Sequence, residues 1–138
     1  MKLSELYTIF CKLTWDEKGT KNPPVFLENW KTPTKKTDEE IIKHFKTPNA
    51  GIGIATGSVN GITVFDFDDI TNELIPQLYD LAPTYCVKTK KGLQFYYKYN
   101  AYFKQGTKRF FGDVDVRNDG GLVFAPPTPN YKRWGEYS

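Results

Sequence analysis

Gly61–Thr71 reads GITVFDFDDIT, a run of strand-forming residues that ends on Asp66, Asp68 and Asp69. Side chains alternate faces along a strand. Val64, Asp66 and Asp68 therefore share one face, and Thr63, Phe65 and Phe67 share the other. The backbones of Asp66 and Asp68 lie roughly 6.6 Å apart, so their side chains can converge on one cation. A bound divalent ion offsets the repulsion between the two charges and lowers both pKa values. Oxygen ligands favour Mg²⁺ or Mn²⁺ over zinc.

The pattern recurs in GDVDVRNDGG, residues 112–121. Asp113, Asp115 and Arg117 fall on one strand face, and Val114 and Val116 on the other. If the two segments are neighbouring strands, a third carboxylate joins the first two. Three converging carboxylates beside an arginine suit a two-metal phosphoryl or nucleotidyl transfer site. The plainer alternative is that these acids end strands in solvent.

Between the acidic segments, Cys86–Phe111 carries Lys88, Lys90, Lys91, Lys98, Lys104, Lys108 and Arg109 without a single acid. Aromatic residues from Phe95 to Phe111 interleave with them. Basic groups hold phosphates and aromatic faces stack bases; alternatively the rings enter the core and the lysines face water. The order along the chain predicts metal ligands on both sides of a phosphate-binding strand.

At 138 residues the chain reads as one domain, 1–138, with a core large enough to fold alone. The 39% apolar and 25% charged content is that of a soluble globular protein. A net charge of +3 is too small to argue for a nucleic-acid partner by itself. Cys11 and Cys86 form no CxxC pair, which argues against zinc or a disulfide framework and for reduced thiols in a cytoplasmic protein. No apolar run reaches the roughly 18 residues of a membrane span, and the opening MKLSELYTIFCKLTW lacks the form of a secretory signal. His44 is the only histidine, which argues against a His-based triad or a His-rich metal site.

Leu3, Leu6, Tyr7, Phe10 and Leu13 recur at helical spacing and predict a first helix over 4–13. Thr37 and Glu40 stand at capping-box spacing ahead of a helix over 38–46, with His44 structural on it. AGIGIAT and GITVFDF flank GSVNG, whose Asn-Gly pair predicts an antiparallel hairpin. A helix follows in NELIPQLYDL, where Pro76 fits only in the first turn. TYCVKT running into GLQFYYKY, then GDVDVR and LVFA, supply further strands. The fold class is α+β, an antiparallel sheet backed by helices.

Two short motifs point elsewhere. VFDFDDIT resembles the aspartate loop of haloacid dehalogenase-like phosphatases, and its DxD resembles that of glycosyltransferases. The order of all the motifs resembles the bifunctional primase–polymerase domain of the archaeo-eukaryotic primase superfamily across nearly the whole chain. KNPP, the following Trp30 and TDEEIIKHF resemble that family's opening. AGIGIATGSVNGITVFDFD resembles its glycine strand, turn and first catalytic motif, and GDVDVRNDGGLVFAPPTPN its third motif. The resemblance implies an RRM-like antiparallel sheet as catalytic core, packed with a small N-terminal α/β unit as one compact domain. It implies a DNA primase and polymerase that uses nucleoside triphosphates, a DNA template and Mg²⁺ or Mn²⁺, in a longer replication protein with a helicase part. Asp66, Asp68 and Asp115 would be the metal ligands. Lys88, Lys90, Lys91, Gln94 and Arg117 would bind nucleotide. Gln94 stands where the family places a histidine, so it can donate to a phosphate oxygen but brings no charge. Either the chain is an active variant, or it is an inactive relative that binds nucleotide or single-stranded DNA.

Overall fold

The computed structural model describes residues 1–109 and 113–135. Phe110 and Phe111 of the basic, aromatic run lie outside the described residues, as do the side chains of Lys108 and Arg109.

After a single 3-10 turn at Leu3–Glu5, the chain forms strand β1 (Tyr7–Lys12) and the short strands β2 (Val25–Phe26) and β3 (Thr34–Lys35). Helix α1 (Asp38–Phe45) leads to β4 (Ala50–Ala55) and β5 (Ile62–Phe67). Helix α2 (Leu74–Leu81) precedes β6 (Tyr85–Lys88) and β7 (Leu93–Lys98). Four strands complete the described chain: β8 (Gly106–Arg109), β9 (Val114–Arg117), β10 (Leu122–Phe124) and β11 (Lys132–Trp134). All pair antiparallel in two sheets, and the fold is α+β. One sheet runs β10-β4-β1-β2, with β3 also on β1; the other runs β11-β6-β7-β5-β9-β8.

The predicted first helix is instead the 3-10 turn and β1. Ile9, Cys11 and Leu13 point to one side and Thr8 and Phe10 to the other, and Thr8, Ile9, Cys11 and Leu13 are all at most 1% exposed. A segment packed on both faces shows apolar residues at every spacing, so helical periodicity is accidental there. Pairing with β4 over Thr8–Lys12 then decides for strand. The predicted hairpin of β4 and β5 is also corrected. Gly57 and Ile62 form one bridge, and beyond it the two strands part into different sheets. Asn60 is drawn away by the first sheet: its side chain accepts from the Tyr7 backbone N–H and donates to the Tyr7 and Ala55 carbonyls.

The helices follow their local signals. Thr37 and Glu40 form both halves of the capping box of α1. His44, on that helix, is buried, stacks on Phe10 with centroids 4.1 Å apart and hydrogen-bonds the Gly51 carbonyl. Pro76 occupies the first turn of α2, where its missing N–H costs nothing.

The two sheets share a core of Ile52, Ile54 and Val123 from one and Ile62, Val64, Val87 and Tyr96 from the other. On its far face the second sheet buries Phe67, Leu93, Phe95 and Val114 with Ile75 of α2. Strand β5 is thus packed on both sides. Val64, Phe67, Phe95, Val114 and Val116 are at most 1% exposed, and each such burial contributes about 1.5–3 kcal/mol.

Gly92 marks the tightest approach in this sheet. A Cβ there would stand 1.6 Å from the Phe67 carbonyl oxygen. Gly92→Ala is therefore expected to destabilise the protein by at least about 3 kcal/mol, against about 1 kcal/mol for loss of the cap in Thr37→Ala. Urea unfolding checks both; an alanine at 92 that melts like the parent would contradict the packing described.

Candidate active site

Strand β5 lies between β7 and β9, and its register sets Asp66 opposite Gln94 on one side and Asp115 on the other. Asp68 follows one step beyond the strand end, on the Asp66 face. One carboxylate oxygen from each of Asp66, Asp68 and Asp115 lies within 4.8 Å of the others. Asp69 serves the backbone instead. Its Oδ1 accepts from the backbone N–H and hydroxyl of Thr71, closing a local turn. Asp113 is exposed ahead of β9 and is not part of the cluster.

Crowding and burial act on the acids together. Desolvation, then the charges of Asp68 and Asp115, push the Asp66 carboxyl up to about 6, with Arg117 opposing. Asp68 is also raised, chiefly by desolvation and Asp115. The Arg117 guanidinium pairs with Asp115 at 3.2 Å. Gln94, only 3% exposed, stands opposite Asp66 in register, where its amide favours the charged carboxylate, and accepts from the Tyr96 hydroxyl at 3.4 Å.

The cluster forms the floor of a cleft of about 270 Å³. Thr89, Lys90 and Lys91, in the turn between β6 and β7, form one wall. That turn is closed by hydrogen bonds between Thr89 and Gly92. Trp15, Gly19, Thr20 and Lys21, from the loop after β1, form the opposite wall, and Tyr131 adds a phenol from the C-terminal segment. Desolvation pushes the Tyr131 hydroxyl up to about 12, so it remains a proton donor at neutral pH.

Residues 6–138 match the family described as bifunctional DNA primase/polymerase, N-terminal. The chain belongs to this family. No curated protein matches it. The family's general activity is DNA primase and polymerase chemistry, a nucleotidyl transfer, and its enzymes are metal-dependent.

Of the site residues that the primase/polymerase resemblance implies, Asp66, Asp68, Asp115, Lys90, Lys91, Gln94 and Arg117 all line the one cleft. Lys88 does not. It pairs in register with Leu93, on the sheet face opposite to Gln94, and its ammonium donates to the Thr89 carbonyl. The basic strand does not run between two acidic ones either. The acidic strand β5 is central, with β7 and β9 as its neighbours. Among the described rings of the run, several serve the fold: Phe95 and Tyr96 are core residues, and the Tyr99 hydroxyl donates to Asp119. Sequence reasoning missed Trp15, Lys21 and Tyr131, which are distant along the chain. KNPP, which begins at Lys21, was the available signal.

The donors fit a hard divalent cation. They are oxygen only, with no histidine or cysteine in the cluster, and their mutual repulsion is relieved by positive charge. Without metal, the raised Asp66 pKa has a definite sign. The native state holds this proton up to about pH 6 and the unfolded chain only up to 3.8. Stability therefore falls as pH rises from about 4 to 7. In chelator at pH 7, Asp66→Asn is expected to be more stable than the parent by the order of 1–3 kcal/mol, with a flatter pH profile. Urea unfolding at several pH values tests this; a less stable variant would contradict it.

Proposed function

We propose that the chain catalyses template-directed nucleotidyl transfer, extending or starting a strand on a DNA template from nucleoside triphosphates. The observation that carries this reading is the convergence of Asp66, Asp68 and Asp115 on the floor of a cleft rimmed by Lys90, Lys91 and Arg117. Mg²⁺ or Mn²⁺ held by the three carboxylates would supply activation of the attacking 3′-hydroxyl and charge neutralisation at the leaving pyrophosphate.

The chain's own groups divide the remaining work. Arg117 fixes Asp115 by its ion pair, and the Gln94 amide, opposite Asp66 in register, favours that carboxylate's charged form. A buried amide facing Asp66 and bonded to Tyr96 serves the metal ligand before it serves a phosphate. The exposed Lys90 and Lys91, at the tip of their turn, attract the triphosphate and orient it over the acids. Tyr131 offers a neutral hydrogen-bond donor at the wall. The rate gain expected of such a site comes from positioning and preorganised charge.

Pure protein should incorporate labelled nucleotides on primed or unprimed DNA with Mn²⁺ or Mg²⁺, and Asp66→Ala and Asp115→Ala should each reduce incorporation to background while the circular dichroism spectrum is kept. Activity retained in both variants would sink the site. Binding of single-stranded DNA with no incorporation would make the protein a binding module. For Gln94→Ala, the half-maximal metal concentration should rise about tenfold or more, with the nucleotide KM little changed. The reverse pattern would make Gln94 a phosphate ligand.

A further inference from the structure

We propose that Lys21, carried by the N-terminal sheet and not by the sheet that holds the aspartates, binds the triphosphate directly. It would oppose Lys90 in a cationic clamp that spans the two sheets. This inference rests on the nucleotidyl-transfer reading and adds to it a residue from the other half of the fold.

Lys21 lines the same cleft as the aspartates, although its loop joins β1 to β2. Its ammonium stands 4.6 Å from the centroid of the Phe124 ring and makes no ion pair among the described residues. The charges around it are Asp66 and Asp68, which attract it, and Arg117, which repels it. Metal ions on the acids would cancel the attraction that Asp66 and Asp68 exert on Lys21 and leave its ammonium without a counter-charge. A polyphosphate supplies that counter-charge. A charge-assisted hydrogen bond from an ammonium to a phosphate oxygen is among the stronger polar contacts available.

The loop is built in advance of any ligand. The Asp16 carboxylate accepts from the Lys18 and Thr20 backbone N–H groups, both at 2.9 Å. Asn22 donates from its backbone and its side chain to Thr14. Trp15 and Lys21 pair as an isolated bridge. These bonds order the backbone that carries Lys21 before any ligand arrives, which lowers the ordering cost at binding.

The two walls also touch. Gly19, at φ +81°, has a backbone conformation that favours glycine, and a Cβ there would lie 2.6 Å from the Lys90 Nζ. Lys90 thus rests against the hairpin that presents Lys21. One cation comes from each of the two loops, and both line the cleft that holds the acids.

The test uses the full chain, with Ca²⁺ in place of the catalytic ion so that binding is read without turnover. The probes are a fluorescent nucleoside triphosphate and, as competitor, inorganic tripolyphosphate. Lys21→Gln should weaken binding of both by about tenfold or more. Lys21→Arg should stay within about threefold of the parent, since it keeps the charge. Lys18→Gln, on the same hairpin but outside the cleft, should change neither. Parental binding in Lys21→Gln, or an equal loss in Lys21→Arg, overturns the Lys21 assignment alone. A parent chain that binds neither probe overturns both this inference and the nucleotidyl-transfer reading.

Discussion

Asp66 faces Asp115 across one rung of antiparallel pairing, and Asp68 stands next to both. Three negative charges within 4.8 Å repel each other, so the sheet beneath them has to hold them in place. It does so by packing β5 on both faces. Val64 enters the core between the sheets, and Phe67 enters the core under α2. A slip of one residue would turn every side chain to the opposite face. Asp66 would then enter the apolar layer and Phe67 would face the cleft. The apolar alternation that stabilises the sheet and the acid alternation that forms the site are one pattern.

The cleft exists because β4 and β5 do not continue as a hairpin. They diverge after the Gly57–Ile62 bridge, and the chain builds two sheets where it could have built one ribbon. Asp66 sits on the inner strand β5, Asp115 on the neighbouring β9 and Asp68 just past the end of β5, so paired backbone holds the cluster. The lysines sit on turns and loops, from which long side chains reach the cleft. Arg117 is the exception, held on β9 beside the acid that it pairs with. Rigid acids and adaptable cations suit a metal-bound polyphosphate, whose metal end needs exact placement more than its far end does.

The chain belongs to the bifunctional DNA primase/polymerase family, whose enzymes are metal-dependent, and its three clustered carboxylates offer an all-oxygen donor set. Position 94 gains its meaning from the fold. Its side chain lines the cleft but is only 3% exposed, opposite Asp66 in register and bonded to the Tyr96 hydroxyl. An amide there favours the charged carboxylate of Asp66 without adding a titrating group.

Signals that act over a few residues were readable from the amino-acid order alone. They include the capping box at Thr37 and Glu40, the place of Pro76, the alternation that put Asp66 and Asp68 on one face, and the α+β class. Each depends on backbone geometry within one element. The first strand was misread because residues buried on both faces carry no period. The hairpin was misread because Asn60 bonds to Tyr7, a partner 53 positions away. That Lys88 faces away from the cleft, and that Lys21 and Tyr131 line it, was decided by tertiary structure alone. Such contacts depend on how sheets pack and loops fold back, and no short stretch of chain holds that information.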